Sequence, residues 1–84
     1  MSFRRVDAAR AFGQALKEAR LIRGLSQERL AELGEFDRTY PSLLERGRRT
    51  PTFLVMLELA DALGMNPAVL FNDAVARLRG PTQR

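Results

Sequence analysis

Arginine dominates the chemistry that this chain can do. Its 84 residues include thirteen arginines and one lysine, but no histidine and no cysteine. Without histidine the chain lacks the usual proton shuttle near neutral pH and the Ser–His and Cys–His nucleophile pairs. Without cysteine it lacks a disulfide framework and a thiolate metal site. Arginine suits recognition instead, because its guanidinium donates two parallel hydrogen bonds to phosphates or base edges. We therefore expect a protein that is not an enzyme and needs no metal or cofactor.

The excess positive charge lies in the first half of the chain. The formal net charge is +4. Residues 1–49 hold 11 basic and 7 acidic side chains, whereas residues 50–84 hold 3 of each. This distribution favours a nucleic-acid surface within residues 1–49. A genome rich in arginine codons would explain the preference for arginine over lysine equally well, so the position of the charge is the stronger indication.

The pattern of glycines and apolar residues predicts an all-α fold. Five of the glycines leave segments of 9 to 16 residues between them, β-branched residues are few, and no strand-like alternation is sustained. We predict one domain of five helices, at about residues 7–23, 26–33, 39–46, 53–63 and 67–79. Residues 1–6 are expected to form a flexible arm and residues 80–84 a disordered tail. Because no run approaches roughly 18 apolar residues and no signal-peptide pattern is present, we expect a cytoplasmic protein with no membrane partner.

Local signals place the helix ends and the core. Ser26 and Thr52 are expected to be helix N-caps, and Asn66 followed by Pro67 to start the fifth helix. Gly13 is expected to let another helix approach closely. The predicted core stripes recur at helical spacing: Ala9, Phe12, Leu16 and Ala19 in the first helix, and Phe53, Met56, Leu59, Ala60 and Leu63 in the fourth.

Several short motifs together resemble the XRE family of phage Cro- and repressor-like helix-turn-helix proteins. They are GLSQERLAE from Gly24, LERGRR from Leu44, Pro51-Thr52, and LADALG from Leu59. The resemblance covers about residues 10–71. It implies a compact five-helix DNA-binding domain in which helices 2 and 3 form the helix-turn-helix and the third helix enters the major groove of double-stranded DNA.

The resemblance also assigns candidate site residues. The positions that match base-reading sites are Arg38, Thr39 and Leu43. Those expected to contact phosphates are Gln27, Tyr40, Ser42, Arg46, Arg48 and Arg49. Arg20 and Glu45 match a structural ion pair between helices. These positions also have other interpretations, since the charged and hydroxyl side chains are compatible with plain solvation, Gln27 with support of a helix start, and Leu43 with packing on a partner protein.

Three departures from the family pattern bear on the recognition helix. Glu35 stands where the family usually has glycine, so either the turn is rebuilt around Gly34 or Glu35 adopts a strained conformation. Pro41 takes an inward position usually held by Ile or Val, and proline is tolerated chiefly in the first turn of a helix. We therefore predict that regular helix begins near residues 39–40. Thr39 and Leu43 replace the usual Gln or Asn, so direct reading of bases is expected to be sparse.

The fourth and fifth helices carry more apolar residues than one core requires. At 100° per residue, Leu54 and Val55 point away from the predicted core and Leu57 lies on its flank. Phe71, Ala74, Val75 and Leu78 are at helical spacing in the fifth helix. Either that helix folds back and covers Leu54 and Leu57, or an apolar face of Leu54, Leu57, Val75 and Leu78 binds a second copy or another protein.

Two functional hypotheses follow. The first is a transcriptional regulator, most simply a repressor that binds a palindromic operator as a homodimer without a small-molecule effector. The alternative is an antitoxin-like module that neutralises a partner protein and regulates its own operon. An enzyme is a remote third, because the sequence contains no nucleophile–base pair and no phosphate loop.

Overall fold

Five α-helices build the part of the chain that the computed structural model describes, residues 3–79, in which the side chain of Arg79 is not described. They are α1 (Arg5–Ile22), α2 (Gln27–Gly34), α3 (Tyr40–Glu45), α4 (Phe53–Leu63) and α5 (Pro67–Arg79). No strand occurs within residues 3–79, so the predicted all-α class is confirmed. The predicted tail, residues 80–84, lies outside the described residues, as do residues 1 and 2.

Capping side chains mark the starts of α2, α4 and α5 at the predicted positions. The Ser26 hydroxyl accepts a hydrogen bond from the Arg29 amide at 2.9 Å, and the Thr52 hydroxyl accepts one from the Val55 amide at 3.1 Å. The Asn66 side chain accepts from the Ala68 amide at 2.8 Å.

The predicted N-terminal arm, residues 1–6, is too long. Arg5 and Val6 are already helical, because the amide of Ala8 donates to the carbonyl of Arg4 at 3.0 Å and closes the first turn there. Asp7 lies in that turn, where the positive end of the helix dipole stabilises its carboxylate. Arg5 and Val6 therefore belong to α1 and not to an arm.

One leucine from each helix meets at the centre of the core. Leu16, Leu30, Leu44, Leu59 and Leu70 are each no more than 1% exposed. Phe12, Ala15 and Ala19 of α1 pack around them, and the residues predicted for the first helix, Ala9, Phe12, Leu16 and Ala19, are all buried. Because all five helices supply this cluster, the position of α3 depends on the whole domain.

The predicted core stripe of α4 is wrong at Phe53. That side chain is 71% exposed, whereas Val55, predicted to point outward, packs against the core. Phe53 stands in the first turn of α4, beyond the end of the core, and lines an open apolar groove with Leu57 and Phe71. The predicted core face of α4 therefore extends further toward the N-terminal end of the helix than the neighbouring helices cover.

The fifth helix does not cover α4 as the fold-back alternative requires. It packs mainly against α1, and Leu54 remains 61% exposed. Within residues 3–79 no single helix is long and apolar enough to cross a membrane; α4 and α5 reach that length and composition only as a pair bent by 113°.

Candidate nucleic-acid interface

The turn between α2 and α3 resolves the question raised by Glu35. Glu35 adopts the left-handed conformation, with φ 58° and ψ 41°. A Cβ built on Gly34 would lie only 2.3 Å from Cε2 of Phe36, so the ring of Phe36 occupies the space that a side chain would need. The turn is therefore the strained alternative, with Gly34 retained for close packing.

The recognition helix begins at Tyr40, which confirms the prediction drawn from Pro41. Pro41 is buried in the first turn, where its missing N–H removes no helical hydrogen bond. The Asp37 carbonyl accepts from the Tyr40 amide at 3.0 Å. Arg38 and Thr39 therefore precede regular helix and lie exposed at its N-terminal end.

The three predicted base-reading residues are not equally accessible. Arg38 and Thr39 are exposed, whereas Leu43 is half-buried and presents little surface. The guanidinium of Arg38 lies 3.9 Å from the carboxylate of Glu28, and both side chains are largely exposed. Such a solvated pair contributes little stability, so Arg38 is free to exchange Glu28 for another acceptor.

A buried ion pair joins α1 to the end of α3. Nε and Nη2 of Arg20 donate to the two carboxylate oxygens of Glu45 at 2.6 and 3.0 Å, and Nη1 donates to the Leu25 carbonyl at 2.7 Å. The bonds to Glu45 raise the pKa of Arg20. Gln27, predicted as a phosphate contact, donates from Nε2 to Glu45 at 2.9 Å. One carboxylate thus connects α1, the start of α2 and the end of α3.

The remaining predicted phosphate contacts differ in exposure. Tyr40 and Ser42 are half-buried, and the ring of Tyr40 lies 5.6 Å from that of Phe36. Arg46, Arg48 and Arg49 are exposed in the loop after α3. Within residues 3–79 none of these three guanidinium groups forms an ion pair with a carboxylate. The loop therefore presents three positive charges to solvent.

Sequence reasoning missed a further arginine beside that loop. A Cβ built on Gly47 would lie 3.1 Å from the Cα of Arg10, so the loop rests directly on α1 at an exposed arginine. Likewise, a Cβ on Gly13 would lie 2.3 Å from the Leu44 carbonyl oxygen, which confirms the close approach predicted there. No local signal pairs residues 10 and 47, since the contact depends on how α1 crosses α3.

The predicted apolar face is only partly continuous. Leu57, Val75 and Leu78 are half-buried and line two depressions that share Phe12, Met56 and Phe71. Leu54 is exposed but does not line either depression. The structure thus places three of the four predicted residues along two adjoining depressions, the first between α4 and α5 and the second between α5, α1 and the loop before α4.

Known proteins share this arrangement. A helix-turn-helix family model matches residues 16–70. An uncharacterised HTH-type transcriptional regulator, y4dJ of Sinorhizobium fredii (strain NBRC 101917 / NGR234), is 39% identical over 61 residues, which are 73% of this chain and 79% of the relative.

Two solved structures of restriction-modification controller proteins are also similar. C.AhdI from Aeromonas hydrophila is 46% identical, with a TM-score of 0.72, over 75% of this chain and 96% of that one. The C.Esp1396I tetramer in complex with its natural 35 base-pair operator is 27% identical, with a TM-score of 0.79, over 87% of this chain and 96% of that one. These matches confirm the resemblance found in the sequence, and the chain belongs to the XRE-type helix-turn-helix family of transcriptional regulators.

Proposed function

We propose that this protein represses transcription by binding a palindromic operator in double-stranded DNA as a homodimer. One observation carries the proposal: Arg38 and Thr39 lie exposed at the start of α3, and the same helix is followed by three arginines that form no ion pair with a carboxylate within residues 3–79. An exposed N-terminal end on a helix fixed by the Arg20–Glu45 pair is suited to entering a major groove.

The proposed division of roles follows from side-chain chemistry. Arg38 donates two hydrogen bonds to a guanine edge, and Thr39 contacts the neighbouring base. Leu43 offers only an apolar contact, such as one with a thymine methyl group. Arg46, Arg48 and Arg49 bind phosphates and so fix the register of the protein on the duplex without selecting sequence.

Three further residues are proposed to support the phosphate contacts. Gln27, Tyr40 and Ser42 remain in this group, although each is half-buried. The amide of Gln27 already donates one hydrogen bond to Glu45, so its second N–H is the one proposed for a phosphate. Its place at the start of α2 adds the positive end of a helix dipole.

Dimerisation is proposed through the surface formed by the two adjoining apolar depressions along α5. Leu57, Val75 and Leu78 lie there with the exposed Phe71, and apolar patches of this kind favour protein contacts. A dimer would place two recognition helices on half-sites about one helical turn apart. The tetramer of C.Esp1396I on its operator supports assembly of this type.

Control of restriction-modification genes is the regulatory context that we propose. It is supported by the 46% identity to C.AhdI and by a second relative, the control protein C.MunI of a Mycoplasma species, which is 36% identical over 63 residues. Repression would then follow from occupancy of the promoter that the operator overlaps.

Selection of binding sites from random duplex DNA tests the proposal. The purified chain is expected to enrich a two-fold symmetric sequence, and Arg38→Ala should relax one base position in each half-site. Lys17→Ala is the control, because it removes one exposed positive charge on α1 that forms no ion pair within residues 3–79 and is not among the residues proposed to contact DNA. Enrichment of an asymmetric site would contradict the dimer, and absence of any enriched sequence would contradict specific DNA binding.

A further inference from the structure

Thr39 is held by a neighbour that the sequence motifs did not single out. The carboxylate oxygen Oδ2 of Asp37 accepts two hydrogen bonds from Thr39, one from its amide at 3.0 Å and one from its hydroxyl at 2.5 Å. Both residues are exposed. The Asp37–Thr39 pair therefore lies on the surface that is proposed to face DNA.

The direction of the second bond is fixed by chemistry. An ionised carboxylate only accepts hydrogen bonds, whereas a hydroxyl group has one proton to donate and two lone pairs. The two bonds from Thr39 hold the pKa of Asp37 below its usual value, so the carboxylate is ionised at neutral pH. The Thr39 hydroxyl group therefore donates its one proton to Asp37. Toward any other partner, the hydroxyl oxygen of Thr39 can only accept a hydrogen bond.

We propose that Asp37 is a specificity-determining positioning residue, which makes Thr39 select an amino base over a keto base in the major groove. This inference rests on the proposed function, because it requires Thr39 to face a base edge. Adenine N6 and cytosine N4 donate there, while guanine O6 and thymine O4 only accept. A hydroxyl group free to rotate would satisfy either kind; one held by Asp37 satisfies only the donors and leaves a keto oxygen facing lone pairs.

The test compares affinities for the selected operator with each of the four bases at the position that faces Thr39. That position is identified as the one whose base preference is lost in Thr39→Val, which removes the hydroxyl and keeps the shape. For the wild type we expect a preference for operators with adenine or cytosine at this position, and about tenfold weaker binding to operators with guanine or thymine there.

Variants of Asp37 separate the fixed hydroxyl from charge and folding. The amino-to-keto ratio is the affinity for operators with adenine or cytosine opposite Thr39 divided by the affinity for those with guanine or thymine. Asp37→Ala frees the hydroxyl group, so this ratio should fall to about 1–2. Asp37→Asn keeps an acceptor oxygen without charge and should retain most of the ratio. Asp73→Ala removes the same charge from an exposed site on α5 and should leave the ratio unchanged. Thermal unfolding followed by circular dichroism verifies that each variant is folded.

The outcomes distinguish this inference from the proposed function. Three results would overturn the role of Asp37 while DNA binding stands. They are an amino-to-keto ratio that is unchanged in Asp37→Ala, a preference for a keto base opposite Thr39, and an operator in which no position responds to Thr39→Val. A wild-type protein that selects no operator would overturn both.

Discussion

Glu45 is the residue on which the geometry of the recognition helix depends most. Its side chain is 2% exposed and that of Arg20 is 9% exposed. The Glu45 carboxylate accepts two hydrogen bonds from the Arg20 guanidinium and a third from the side-chain amide of Gln27. The structural role that the family motif assigns to the pair is compatible with this burial. The contact of Gln27 with the same carboxylate had no signal in the sequence, because residues 18 positions apart meet only after α2 and α3 are folded.

Replacing Glu45 by alanine should destabilise the protein strongly. The change leaves the Arg20 guanidinium buried without its counter-ion, which typically costs about 3–5 kcal/mol of unfolding free energy. Glu32→Ala is the control, because it breaks an exposed pair with Arg29 and should cost about 0.5 kcal/mol or less. Urea denaturation measures both values. Equal costs for the two variants would show that burial of the Arg20–Glu45 pair is unimportant.

Among the helices, the predicted capping and proline signals match the structure, whereas the predicted extent of the core face of α4 does not. Ser26 and Thr52 start their helices as predicted, because an N-cap hydrogen bond is made within three residues. The start of α3 followed from the covalent geometry of Pro41. The exposure of Phe53 could not be predicted in this way, since it depends on where α5 stops covering α4.

Gly13 is the clearest test of how α1 and α3 are joined. Gly13→Ala places a methyl group 2.3 Å from the Leu44 carbonyl oxygen, so the two helices must separate. We expect a loss of about 1–3 kcal/mol in unfolding free energy, as for other overpacked sites. Gln14→Ala, an exposed position one residue along α1, should change stability little. An unaltered urea midpoint for Gly13→Ala would be incompatible with this helix contact.

For the whole molecule, the two adjoining apolar depressions along α5 predict self-association. Phe71 is 54% exposed and lines both depressions, so Phe71→Asp should leave the fold intact and shift a dimer toward monomer. Leu21→Asp makes the same kind of change at a residue 56% exposed that lines neither of them, and should leave the oligomeric state unchanged. Sedimentation velocity reports the state directly. A wild-type protein that is strictly monomeric at high micromolar concentration would exclude this interface.

The salt dependence of binding tests whether Arg38 selects bases while the arginines after α3 bind phosphates. Fluorescence anisotropy would give the dissociation constant for the selected operator and for a scrambled duplex across a range of salt concentrations. Arg38→Ala should weaken operator binding by about 1–3 kcal/mol and leave the scrambled duplex nearly unaffected.

Arg48→Ala should instead weaken both duplexes alike and reduce the log–log salt slope by about 1, because one phosphate contact is lost. We expect this separation between the two variants. The proposed roles of Arg38 and Arg48 would be contradicted if both variants bound the operator and the scrambled duplex as the wild type does, with an unchanged salt slope.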